Sequence, residues 1–215
     1  MKKRLIQSFL MFASALLLFF GVVFAWFSLT PTVKVENFVV NINNYDAIII
    51  LEVKKNDGDY TAVTSQEDIY QIFYNTVPND YLYFRLTVIN NSNNPVTADI
   101  FMNNITSVAA DDYDMRNVFY FVDGKISIDG NAVYIEVNDE TPVTEHGQTL
   151  PLYRLNNIIN DDSDLFLVND LPYAGYQTRV LEFAIAFDYN TEAKGYEEGI
   201  LAIASLNIFF NITGE

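Results

Sequence analysis

Leu82, Phe84, Leu86 and Val88 alternate with Tyr83, Arg85 and Thr87. That period of two predicts a half-buried β-strand. Leu181, Phe183, Ile185 and Phe187 repeat the pattern, with Glu182 and Asp188 on the opposite phase. Between Tyr45 and Val53 the run Ile48-Ile49-Ile50-Leu51 is continuously apolar, which predicts a strand covered on both faces. Asn56-Asp57-Gly58-Asp59 then reads as a turn. The middle of the chain predicts a meander: Val118 to Val122, Asp123-Gly124, Lys125 to Ile128, Asp129-Gly130, Val133 to Val137. Asp-Gly between strand-forming runs is a strong hairpin signal. The last two strands, Leu181 to Phe187 and Ile200 to Ile212, are joined by a polar loop near 190–199. Two short helical segments interrupt the pattern. Thr64-Ser65-Gln66-Glu67 resembles a capping box, and Ile69, Ile72 and Phe73 follow at helical spacing, predicting a helix over about 65–75. Leu155 to Asn160 suits one further helical turn. Many short strands with frequent turn signals predict an all-β chain, an antiparallel β-sandwich of jelly-roll type.

Near residue 36 the alternation changes phase. Val33 and Val35 place apolar side chains at odd positions, whereas Phe38, Val40 and Ile42 place them at even ones. A regular strand cannot switch parity without presenting its other face. A bulge or break near Glu36-Asn37 follows, or two strands that meet there. An ordinary bulge in a first strand accounts for the pattern; a hinge that lets the strand leave and pair elsewhere is the alternative.

The first residues fix the compartment. Lys2, Lys3 and Arg4 precede an uncharged, mostly apolar run from Leu5 to Phe27, and the first acid is Glu36. A basic segment before an apolar core is the pattern of an export signal, with the bases left inside and the rest outside. The 19 residues from Phe9 to Phe27 exceed a signal core of about 7–15 residues and approach a membrane span of about 20. Val23 and Ala25 supply small residues where a signal peptidase reads, so cleavage after Ala25 is expected; an uncleaved anchor through residues 5–27 is the alternative. Residues 1–27 are thus signal or anchor, and 30–215 form one domain, exported to the cell surface or beyond.

Charge and composition narrow the chemistry. The 215 residues carry a net charge of −16. Setting aside Lys2, Lys3 and Arg4 leaves 9 of the 12 bases against 28 acids, or −19. Such a surface repels nucleic acid. Without cysteine there is no disulfide framework, thiolate metal site or thiol nucleophile. His146 stands alone in a turn-like stretch, and no Gly-x-Ser-x-Gly, His-Glu-x-x-His or phosphate loop accompanies it. No catalytic residue is assigned. Glu136, Asp139, Glu140, Glu182 and Asp188 are carboxylates available to a hydrolase, but sequence does not select a pair. Asp111 to Asp114 and Asn160 to Asp164 are rich in hard oxygens suited to Ca²⁺, yet lack the glycine and glutamate of an EF-hand loop, so no metal ligands are assigned. Tyr81 and Tyr83 lie on the outward phase of their strand, as a binding face or as cross-strand pairs. Asn-x-Ser/Thr sequons begin at Asn90, Asn104 and Asn211.

Three stretches together resemble the TasA/camelysin family of exported proteins from Gram-positive bacteria. They are Ala25-Trp26-Phe27-Ser28, Pro78-Asn79-Asp80-Tyr81 followed by Phe84 through Asn93, and the terminal stretches Phe183 to Asp188 and Leu201 to Phe210, whose pairing would be the closing hairpin of such a sandwich. Asn79 and Ser92 stand where that family has glycine, Leu29 stands where it has aspartate, and 111–171 has no counterpart. The resemblance implies a β-sandwich and a dedicated signal peptidase; the residues themselves assign no cofactor, with Ca²⁺ as the alternative. The resemblance also implies assembly into extracellular matrix fibres by donor-strand exchange, with copies of itself or another surface protein as partner. The donor would be Thr32 to Ile42, with Val33, Val35, Phe38 and Val40 as pocket residues and Glu36-Asn37 as hinge. Proteolysis, ascribed to camelysin-type members, has no residues here. A monomeric, membrane-anchored module binding a glycan or Ca²⁺ is the first alternative, and a carboxylate hydrolase the second.

Overall fold

The structure is a computed structural model that describes residues 34–36, 39–42, 45–65, 68, 76–110, 112–160, 162–188, 194–196 and 199–212, with 11, 12, 14 and 16 near the N-terminus. The chain divides into two compact units, Met1–Pro31 and Thr32–Glu215. In the first, Met11, Phe12, Ser14 and Leu16 are helical, and the Ser14 hydroxyl donates to the Met11 carbonyl at 3.1 Å. Among the described residues no helix is long and apolar enough to cross a membrane. The expected cleavage positions Val23 and Ala25 lie outside the described residues.

The second unit is a sandwich of two main sheets. One contains β1 (Lys34–Glu36) and β2 (Val39–Ile42), both on β14 (Ile200–Ile212), then β6 (Val96–Val108) and β12 (Leu165–Tyr173). The other runs β4 (Thr61–Ala62), β3 (Ala47–Lys55), β5 (Asp80–Asn90), β13 (Thr178–Phe187), β8 (Lys125–Ile128) and β9 (Asn131–Tyr134), with β7 (Phe119–Phe121) also on β13. A small hairpin, β10 (Thr144–Glu145) with β11 (Gln148–Thr149), lies outside both. From β5 onward the main strands pass back and forth between the sheets: β6, then β7 to β9, then β12, β13 and β14. This alternation is the expected jelly roll. Every pairing between named strands is antiparallel except those of β1 and β2 with β14.

The alternating strands build the core as predicted. Leu82, Phe84, Leu86 and Val88 of β5 are buried, and so are Leu181, Phe183, Ile185 and Phe187 of β13. Phe84 stacks on Phe183 at 4.8 Å and Phe119 on Phe187 at 4.7 Å. Offset ring pairs at such distances add to the area they bury. Val96, Ala98, Ile100 and Met102 of β6, with Leu206, Ile208 and Phe210 of β14, belong to the same cluster.

Four expectations need correction. The run Ile48-Ile49-Ile50-Leu51 is not covered on both faces: Ile48 and Ile50 are 47% and 43% exposed, while Leu51 and Val53 are buried. Among the described residues only the two-residue β4 pairs with the far side of β3, and Ile48 and Ile50 on its outer face stay partly open to solvent. Asp123-Gly124 does not make a hairpin. β7 and β8 lie one after the other along β13, opposite 185–187 and 181–182. The link, Val122–Gly124, is a tight turn with Asp123 and Gly124 both in the left-handed region at φ +55° and +60°. A Cβ on Gly124 would fall 2.2 Å from the Tyr153 ring, so close approach of that ring requires glycine. Asp129-Gly130, by contrast, does turn β8 into β9, with both residues at positive φ. β13 and β14 do not close a hairpin but sit in different sheets. The capping box is one residue later than expected. The Ser65 hydroxyl accepts from the Asp68 N–H at 3.3 Å, and Asp68 accepts from the Ser65 N–H at 2.8 Å. Residues 69–75 of the expected helix lie outside the described residues. The helical turn after Arg154 is present as a 3₁₀ turn, Leu155–Asn157.

Burial predicts opposite responses along neighbouring strands. Leu86→Ala should cost about 2–5 kcal/mol of unfolding free energy. Ile50→Thr, on the open face, should stay within about 0.5 kcal/mol. Urea unfolding of both variants checks this, and equal losses would contradict the one-sided burial of β3.

Candidate functional site

The candidate site is the edge of β14 that carries the N-terminal strands. On one side β14 pairs with β6 in a single register from Ile200↔Val108 to Ile212↔Val96. On the other it takes β1, with Lys34↔Ile200 and Val35↔Leu201, and β2, with Val39↔Ser205 and Val40↔Leu206. Lys34 to Val39 and Ile200 to Ser205 are equal steps, so no extra residue is inserted against β14 where a bulge was expected. Asn37 itself lies outside the described residues.

The phase change that prompted that expectation recurs next door. In β14 the buried apolar residues are Leu201 and Ile203, then Leu206, Ile208 and Phe210. In β6 they are the even positions up to Met102, then Ile105, across Asn104 at φ +51°. The level at which the buried phase changes is therefore shared by neighbouring strands. In register terms Val35 falls opposite buried Leu201, and Val40 opposite buried Leu206. Of the other proposed pocket residues, Val33 and Phe38 lie outside the described residues.

The strand that follows is pinned. The Tyr45 ring stacks on Phe210 at 4.8 Å, and its hydroxyl donates to Asn90 Oδ1 at 3.1 Å. Asp46 accepts from Asn91 through both its backbone carbonyl and its carboxylate. Asn90 is fully buried and organises this corner. Its Oδ1 also accepts from the Ser92 N–H, and its Nδ2 donates to the carbonyls of Asn94 and Ala174. A side chain so occupied is closed to glycosylation in the folded state, unlike exposed Asn104 and Asn211. Tyr45 and Asp46 are thus fixed by side-chain contacts just ahead of β3.

Periodicity did not reveal the outer face of β6, β12 and β14. There Phe101 stacks with Phe166 at 5.0 Å and with Phe209 at 5.5 Å. The Ser205 hydroxyl donates to Asn103 Oδ1, with Asn207 Oδ1 also within 3.2 Å. Only pairing registers place these residues side by side.

The acidic loops are organised around their own backbone. Asn160 Oδ1 accepts from the N–H groups of Asp162 and Asp164, and Asp164 accepts from the Asn104 N–H. Asp114 accepts from the Arg116 N–H and binds its guanidinium at 2.6 Å. Asp111 and Asp161 lie outside the described residues. Among the described residues no group of three or more His, Asp or Glu side chains is placed to hold a metal ion. His146 occupies a β10–β11 turn at φ +47° and stacks on Tyr113 at 3.7 Å. Of the candidate carboxylates, Glu182 accepts from Arg85 at 2.8 Å and Asp139 caps the Thr141 N–H.

Protein-family models, curated proteins and solved structures were each compared with this chain, and none matches. The functional reading rests on the geometry itself.

Asp114 gives this region a pH signature. Burial raises its pKa, but the Arg116 hydrogen bonds outweigh burial and hold the carboxyl below the ordinary carboxylate range. A depressed folded pKa gives stability that is present above the unfolded value and lost as pH falls through the folded one. Thermal unfolding should thus lose this contribution below about pH 4. Asp114→Asn should lower stability at neutral pH and flatten that acid limb; an acid limb identical to the parent's would refute the assignment.

Proposed function

We propose that this protein is an exported surface or matrix subunit that assembles head to tail by exchanging its N-terminal strand at the β14 edge. The observation that carries the reading is the pairing of β1 and β2 with β14. It is the only parallel pairing between the described strands, and it keeps one register on both sides of residues 37–38. Strands joined by short links in a jelly roll pair antiparallel, whereas a parallel pair needs a long crossover or a strand that enters from elsewhere. An edge filled this way can be filled equally by the same segment of another copy. The backbone supplies the affinity and alternate side chains the specificity.

Energetics favour an edge that is always occupied. β14 spans thirteen residues, and a long open edge beside buried Leu206 and Ile208 invites uncontrolled pairing. Donation from one copy to the next covers it. Such a contact is heterologous and does not close on itself, so it propagates as a filament. The net charge of −16 disfavours indiscriminate association of the remaining surface. Export follows from the basic, then apolar, N-terminal sequence, and release of the donor follows from cleavage after Ala25.

Intact mass and N-terminal sequencing of the protein from its export host, with negative-stain microscopy of the same sample, test the reading. A chain that starts near Trp26 or later, together with fibres, is expected. Val35→Asp, Phe38→Asp and Val40→Asp should abolish fibres while leaving a β-rich circular dichroism spectrum. A full-length chain confined to membranes without fibres, or fibres unchanged in all three variants, would overturn it.

A further inference from the structure

We propose that the outer face of the seven-stranded sheet binds one ring of a neutral polysaccharide, in a depression over Ala184. The proposal does not depend on assembly, because β14 belongs to the other sheet.

The depression follows from register. Lys54 pairs with Tyr83, and Tyr83 with Ala184. On the far side Glu182 pairs with Ser127, and Lys125 pairs with Tyr134. One row across three strands therefore reads lysine, tyrosine, alanine, and Lys125 lines the same hollow from the next strand. Ala184 alone is small, and a hollow of about 270 Å³ opens above it. Tyr60 and Tyr83 line the hollow, as do Asp123 and Lys125, and Ser127 and Glu182.

The aromatic side is held in place from within the protein. The Arg85 guanidinium lies 3.9 Å from the Tyr60 ring centroid, and Lys54 Nζ lies 4.8 Å from that of Tyr83 and 5.1 Å from that of Tyr60. Tyr81 stacks beside Tyr83 at 6.3 Å. Cations over ring faces fix the ring planes. A ring fixed before binding loses little entropy when a ligand settles on it.

The polar side suits hydroxyl groups. Glu182 accepts from Arg85 through Oε1 at 2.8 Å, and Asp123 accepts from Lys125 at 2.9 Å. Each carboxylate retains lone pairs for further donors, and the Ser127 hydroxyl both donates and accepts. Aromatic faces beside such groups match a pyranose, whose C–H faces are apolar and whose rim is a ring of hydroxyls. Charge selects the neutral class. Lys54, Arg85 and Lys125 are balanced by Glu52, Glu182 and Asp123, on a chain that otherwise repels anions. Cross-strand pairing alone explains Arg85 with Glu182. It does not explain why the one alanine in the row lies between Tyr83 and Lys125.

The exported chain should be titrated calorimetrically with cellohexaose, xylohexaose, maltohexaose and chitohexaose, with polygalacturonate as the charged counterpart. At least one neutral probe should bind with Kd below about 1 mM. Tyr83→Ala should weaken that binding about tenfold or more. Ala184→Leu, which fills the hollow and leaves the tyrosines in place, should weaken it similarly. Ile48→Thr, on the same sheet away from the hollow, should leave it unchanged. Matching thermal unfolding curves confirm that the variants are folded. No binding of any neutral probe, binding of polygalacturonate alone, or full retention of binding in Tyr83→Ala and Ala184→Leu would overturn the proposal.

Discussion

The β14–β6 ladder is the constraint on which the rest of the sandwich depends. It holds thirteen residues of β14 against β6 in one register and commits Leu206, Ile208 and Phe210 to the core. Once that ladder forms, β14 has one free edge. In a chain without cysteine nothing covalent can close it, so backbone pairing must. β1 and β2 do so with register positions that match the buried positions of β14. The topology thus asks for a strand at this edge without requiring that it come from the same chain.

Strength is concentrated just ahead of β3. Tyr45, Asp46 and Asn90 form a satisfied polar corner against Phe210. Buried groups with all their hydrogen bonds made are costly to disturb. β2 (Val39–Ile42) lies on β14, while the hydrogen bonds of this corner run among Tyr45, Asp46, Asn90 and Asn91. The corner therefore keeps its packing whether the preceding strand pairs at home or with a neighbour, which is the mechanical requirement of exchange.

Much of the fold was legible because a period of two is a local signal. The buried faces of β5 and β13 can be read directly from Leu82 to Val88 and Leu181 to Phe187. The failures share one physical cause: the decisive fact was which strand lies beside which. Ile48 and Ile50 read as buried because an apolar run carries no information about an edge position. Asp123-Gly124 read as a hairpin because a turn sequence does not state whether the next strand folds back or continues along β13. The parity change at residue 36 was visible, but its meaning was not. Only the register showed that β14 and β6 change phase as well. The tyrosine hollow was half legible: Tyr83 faces outward as expected, yet Tyr60, Ala184 and Lys125 join it only through tertiary structure.

The two proposed surfaces make different demands on the same sandwich, and the jelly roll separates them. An edge that exchanges strands needs a pairing that can be replaced, and β14 has one. A face that holds a sugar ring needs side chains that do not move, and the outer face of β5 and β13 sits above a stacked aromatic pair in the core, Phe84 on Phe183. The inward side chains of these strands lock the backbone from which Tyr83 and Glu182 project outward. Core packing therefore sets the geometry of the outer face directly, through the alternation of the strand. Exchange at β14 would leave that alternation untouched, because it involves the other sheet. A subunit built this way can join a filament without giving up the face it turns to its surroundings.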